Sequence, residues 1–207
     1  MIDPLADPAA SGGDPADAFD VIVPSLPGFG FPGPLTGFPD VNFWKVADLW
    51  HTLMTETLGY GKYAAGGCDI GGIVSSQLGH KYADSLYVES VFTGDELLTH
   101  ATIYWVNNSI ATSMRYYANA NRHPWTPAHD RTPVVQAPVG LTLVTCENPP
   151  GIDGGDERVR AFETGPQGEW FNHVNVAAHE RGGHFIPWEN PQAWVSDLRR
   201  TFRGLRP

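Results

Sequence analysis

Short β-branched runs alternate along the chain with longer stretches of helical apolar spacing, a pattern that predicts a parallel α/β architecture. Phe19–Pro24 (FDVIVP) is a β-branched run closed by proline and predicts a buried strand. The Gly- and Pro-rich stretch Ser25–Pro39 has no period and reads as loop. Phe43, Val46, Ala47, Leu49, Trp50, Leu53, Met54 and Leu58 then follow helical spacing, with Asn42 as N-cap and Gly59 as stop. Lys62–Ala65 reads as a short strand, and the turn Gly66–Gly72 carries it into a helix over Ile73–His80.

Ser85–Phe92 has strand character. Glu96–Tyr117 has helical length, with Leu97, Leu98, Ala101, Tyr104, Trp105 and Ile110 as its apolar positions. Asn119–Pro138, dominated by Pro, Asn, His and Asp, reads as loop; Val139–Thr145 is a clear strand, and Pro149–Gly155 breaks the chain. Phe171–His179 predicts a further strand, and Pro191 opens a last helix through Phe202. The N-terminal Asp3–Ala18, rich in Pro, Gly, Asp and Ala, reads as loop or short surface turn. Such alternation implies a three-layer fold with a mainly parallel sheet, whose functional groups gather at the C-terminal strand edges.

Composition narrows the possibilities. A chain of 207 residues, 42% of them apolar, is enough for one domain with a core. A net charge of −10 with scattered cations argues against nucleic acid as a partner. Arg199, Arg200, Arg203 and Arg206 do cluster, as expected of a solvated cationic last helical turn. Two cysteines, Cys68 and Cys146, suggest neither a disulfide framework nor a zinc site, so a reducing, cytoplasmic setting is expected. The acidic, Pro-containing start Met1-Ile2-Asp3-Pro4 is unlike a signal peptide, and no apolar run approaches the roughly 20 residues of a membrane span. Neither metal nor cofactor is implied. Oligomeric state is left open, a homo-oligomer included.

Candidate chemistry begins at Asp69. It lies between Gly67 and Gly71, and small residues two before and two after allow the tight strand-to-helix turn of a nucleophile elbow. Cys68 is a rival nucleophile, but it has bulky Ile70 two residues ahead. Asp69 could equally N-cap the helix that follows, and the turn alone supports both readings. Glu147 and His184 add to the catalytic one. They follow the strands Val139–Thr145 and Phe171–His179, which gives the chain order nucleophile, acid, histidine on successive strand-end loops.

With these residues in place the chain resembles the microsomal-type epoxide hydrolases of the α/β-hydrolase superfamily. The resemblance is carried by Phe19–Leu35, Tyr63–Gly72, the Tyr116-Tyr117 segment, Ala137–Gly151 and His179–Pro191, in family order. It implies an α/β-hydrolase three-layer sandwich and a cofactor-free reaction on a small apolar epoxide and water. Asp69 would form an alkyl ester, and His184, oriented by Glu147, would activate the water that cleaves it. Tyr117 would match a lid tyrosine that donates to the opening epoxide oxygen. Ile70 N–H would serve the oxyanion hole, and the helix N-terminus would favour the ionised Asp69.

The chain departs from the family in two places. The His-Gly-Trp-Pro-like loop that supplies a second oxyanion donor is absent, as are the early strands. Part of the lid is missing near Leu86-Tyr87-Val88. Residues 1–207 are therefore expected to form a single partial catalytic domain, N-terminally truncated, with 88–136 as a reduced lid. Two other readings stand beside the active enzyme. One is a catalytically impaired remnant; the other is a haloalkane dehalogenase, which commonly has a Trp directly after its Asp, where this chain has Ile70.

Overall fold

The computed structural model describes residues 2–29, 35–67, 69–87 and 110–203. The described helices are α1 (Ile2–Ala6), α2 (Phe43–Thr52), α3 (Ile70–Lys81), α4 (Ile110–Arg122), α5 (Gly155–Glu163), α6 (Ile186–Glu189) and α7 (Pro191–Phe202). The described strands are β1 (Tyr63–Ala64), β2 (Leu86–Tyr87), β3 (Val135–Val144) and β4 (Phe171–His179). The chain divides into two compact units. One comprises Met1–Ile22, Lys62–Phe92 and His129–Pro207, the other Val23–Gly61 and Thr93–Ala128.

All described strands belong to the first unit, and every pairing is parallel: β1 with β2, and β3 with β4. Parallel neighbours need a crossover, and α3 and α5 lie in the two crossovers. α3 packs on β3, α5 on β4, and α7 on both long strands. The apolar face of α7 supplies Trp194, Val195, Leu198 and Phe202 to a core shared with Val144 and Ile186. Each such side chain taken out of water contributes about 1.5–3 kcal/mol.

Several elements depart from the sequence expectations. β3 starts at Val135, inside the expected loop, and admits Pro138 because the register shifts between Val135 and Pro138, where a missing N–H costs no ladder bond. α4 runs to Arg122, also into that loop. Phe19–Pro24 is not a strand. No described strand pairs with it, Val23 is 70% exposed, and β-branched propensity without a ladder does not make a strand. α5 has too few apolar positions to announce itself and buries only Phe162. Val88–Phe92 and Glu96–Ser109, including Trp105, lie outside the described residues.

The N-terminal segment is more ordered than a surface loop. It forms α1 and two 3₁₀ turns capped by the carboxylates of Asp7 and Asp14. Arg199 departs from the expected solvated face, being 20% exposed, whereas Arg203, 67% exposed, keeps to it while reaching an acid of this segment. Asp17, only 4% exposed, pairs with Arg203 at 2.9 Å and lies 3.9 Å from Arg199, whose Nη2 donates to the Pro4 carbonyl. Arg200 remains mostly exposed, and Arg206 lies outside the described residues.

The second unit is built on α2 and α4. Asn42 caps α2 by accepting from Lys45 N–H, and the helix continues through a π turn at Leu53–Thr57 to Gly59, whose φ of 80° ends it as expected. Tyr116 is fully buried, edge-on to Phe29 at 4.9 Å, and its hydroxyl donates to the Pro27 carbonyl. Burial pushes its phenol pKa well above the ordinary value. Asn119 Nδ2 donates to both the Pro39 and Val41 carbonyls, fastening α4 to the approach of α2.

Candidate active site

Asp69 stands between β1 and α3 with φ 46° and ψ −118°. It is the one non-glycine residue with positive φ among the described residues, a conformation that costs about 1–3 kcal/mol. It occupies the N-cap position of α3, yet its side chain makes no capping hydrogen bond. The carboxylate is exposed and does not serve as a cap. Ile70, buried, opens the helix, and its N–H is among the donors that have no intrahelical acceptor. A Cβ at Gly67 would overlap the Gly71 backbone, so the turn closes only over glycine there. A Cβ at Gly71 itself meets nothing within 4 Å. Cys68, the rival nucleophile, lies outside the described residues.

The acid and the histidine are delivered by strand register. β3 and β4 end side by side, Val144 opposite His179. Beyond them run the 3₁₀ turn Thr145–Glu147 and the loop Glu180–Phe185. His184 Nδ1 lies 2.8 Å from Glu147 Oε1. With a carboxylate as acceptor, Nδ1 carries the proton and Nε2 is left as the basic nitrogen. The loops are tied again where Thr145 Oγ1 and Cys146 Sγ donate to the carbonyls of His179 and Gly182, each at 3.5 Å. The His184 and Glu147 side chains are 49% and 50% exposed, so their bond adds little stability by itself.

Beneath the end of β4 lies a buried polar group that the sequence reading did not single out. Asp197, fully buried on α7, accepts from Thr142 Oγ1 at 2.9 Å and lies 2.7 Å from His179 Nε2. Its one sequence signal is an acid on the apolar face of an amphipathic helix. Glu189 and Asn190 also touch the His184 loop; the sequence places them within His179–Pro191 with no signal that sets them apart from their neighbours. Tyr117 lies on α4 in the second unit, 44% exposed and edge-on to Phe43 at 5.9 Å, in contrast to the buried Tyr116. The structure thus joins Glu147 to His184, places Asp69 in the same unit, and leaves Tyr117 in the other. Among the described residues no group of three His, Cys, Asp or Glu side chains could hold a metal, and no helix is long and apolar enough to cross a membrane.

No family model matches the chain. A protein of Stigmatella aurantiaca (strain DW4/3-1) named "Putative epoxide hydrolase" is 25% identical over 286 aligned residues, taking in all of this chain and 61% of the relative. Epoxide hydrolase 1 of Oryctolagus cuniculus is 29% identical over 119 residues, 57% of this chain and 24% of its own. The chain therefore spans less than two thirds of either curated relative. Among solved structures, juvenile hormone epoxide hydrolase of the silkworm Bombyx mori superposes with a TM-score of 0.64 at 21% identity, covering 89% of this chain and 60% of that one. An esterase of Thermogutta terrifontis superposes with a TM-score of 0.50 at 18% identity, covering 89% and 80%. Parallel strands with helical crossovers, a strained strand-to-helix turn and these likenesses converge: the fold is an incomplete α/β-hydrolase fold, and the chain is similar over its whole length to a protein named as an epoxide hydrolase.

Proposed function

We propose that this chain opens small to medium apolar epoxides to vicinal diols through an alkyl ester on Asp69, without cofactor. The observation that carries the reading is Asp69 itself, a carboxylate at the strained turn that does not cap the helix it precedes. In the first step an Asp69 oxygen bonds to an epoxide carbon, the ring C–O bond breaks, and Tyr117 gives a proton to the leaving oxygen. In the second, water adds to the Asp69 carboxyl carbon while His184 Nε2 takes one of its protons and passes it to the departing diol oxygen; the water's other proton returns through solvent to the Tyr117 phenolate, restoring the Asp69 carboxylate. Glu147 holds the tautomer this requires. Ile70 N–H stabilises the oxyanion of the tetrahedral intermediate, a role for which one donor is worth about 2.7–4 kcal/mol.

A second reading, a catalytically impaired remnant, is favoured by one observation. The alignment with the Stigmatella relative is longer than this chain, so the relative carries internal segments that the chain lacks. Styrene oxide in ¹⁸O-labelled water separates the two. The active enzyme yields diol. In a single turnover the label enters Asp69 rather than the product; His184→Gln accumulates the ester and Asp69→Asn forms none. A folded parent protein that gives neither ester nor diol removes the active reading, and ester without diol supports impairment.

A further inference from the structure

The His184 and Glu147 side chains are half exposed, and their loop contains two successive glycines, Gly182 at φ 113° and Gly183. The exposed Glu147 bond and the long contact of Cys146 Sγ with the Gly182 carbonyl are weak restraints on such a loop. Two adjacent side chains at the junction of α6 and α7 meet its backbone on both sides of His184. Glu189 Oε1 accepts from Phe185 N–H at 3.3 Å, one residue after the histidine. The same carboxylate lies against Gly183, where any Cβ would come within 2.6 Å of Glu189 Oε2. Asn190 Nδ2 donates to the Arg181 carbonyl at 3.0 Å while its Oδ1 caps α7 through Ala193 N–H. The junction is itself anchored, with Ile186 and Pro187 buried and Asn190 N–H bonded to the Ile186 carbonyl.

From this we infer that Glu189 and Asn190 are positioning residues that fix the His184 loop for the water-activating step. The inference rests on the epoxide hydrolase reading above. Ester formation needs Asp69 but not His184, whereas ester hydrolysis needs Nε2 aimed at a water beside the acyl carbon, and an ångström of misplacement costs about 100-fold. Loosening the clamp therefore slows the second step alone.

The experiment uses Glu189→Ala, Glu189→Gln and Asn190→Asp in the full chain with styrene oxide. Glu189→Ala loses the acceptor for Phe185 N–H; Gln retains one. Asp at position 190 keeps the capping oxygen for α7 and loses the donor to Arg181. Glu189→Ala and Asn190→Asp are expected to lower kcat at least tenfold, accumulate the Asp69 ester, and leave kcat/KM for ester formation within twofold. Glu189→Gln restores most of kcat. Two results overturn the inference: kcat within twofold of the parent in both loosened variants, or kcat and kcat/KM falling together with the melting temperature. Imidazole ¹⁵N shifts of His184 give a readout independent of substrate. The parent and Glu189→Gln should show a single Nδ1-protonated tautomer, while Glu189→Ala and Asn190→Asp show an averaged one. If the parent forms neither ester nor diol, the catalytic reading fails, and these shifts still decide the clamp: unchanged shifts in both loosened variants reject it.

Discussion

Gly67 and Gly71 flank Asp69 symmetrically in the sequence but not in space. The backbone of Gly71 fills the position a Gly67 side chain would need, while Gly71 faces open room inside a helix. Gly67→Ala is therefore expected to destabilise the protein by about 1–3 kcal/mol through overpacking. Gly71→Ala should be neutral or stabilising by up to about 1 kcal/mol, because alanine is the better helix former. Urea unfolding of the two variants beside the parent measures both; equal losses would contradict the asymmetry. The residue pattern alone supplied the order Asp69, Glu147, His184, and Glu147 and His184 do form a hydrogen bond. It could not supply Glu189, Asn190 or Asp197. Their roles depend on which backbone groups come within reach once α6 and α7 are docked, and no spacing rule encodes that.

Elements were legible where period and punctuation agreed. α7 and β4 fall on the expected residues, and α2 with its π turn runs from Asn42 to Gly59. Where one signal was missing, the reading failed. Phe19–Pro24 has the composition of a strand but no partner, since strand formation depends on a neighbour outside the segment itself. α5 is stabilised by docking on β4 rather than by an apolar stripe of its own. An ion pair across most of the chain, from Asp17 to Arg203, joins the N-terminal turns to the end of α7. Asp17→Ala should cost about 1.5–3 kcal/mol, the range for hydrogen bonds to charged groups, and release the N-terminal segment to early proteolysis. Urea unfolding and limited digestion report the two effects, and a wild-type digestion pattern would argue against the link.

At the scale of the molecule, parallel strands joined by helical crossovers and strand-end loops on one edge followed from the alternation of patterns. The described strands nevertheless form two separate pairs instead of one continuous sheet, and the chain splits into two units. The division was not legible because the second unit draws on segments far apart in sequence, Val23–Gly61 and Thr93–Ala128. One local feature bears on the fold as a whole. Asp69 holds an L residue in a conformation that glycine adopts freely, so the carboxylate proposed here as nucleophile weakens the protein that carries it. Asp69→Gly should abolish ester formation yet raise stability by about 0.5–2 kcal/mol, a few degrees in Tm for a chain of this size. Calorimetry on the two proteins tests this, and a lower Tm in the glycine variant would refute it. Selection for thermal robustness alone would then favour glycine at this position, so a carboxylate there is a cost to the fold that only the proposed chemistry would offset.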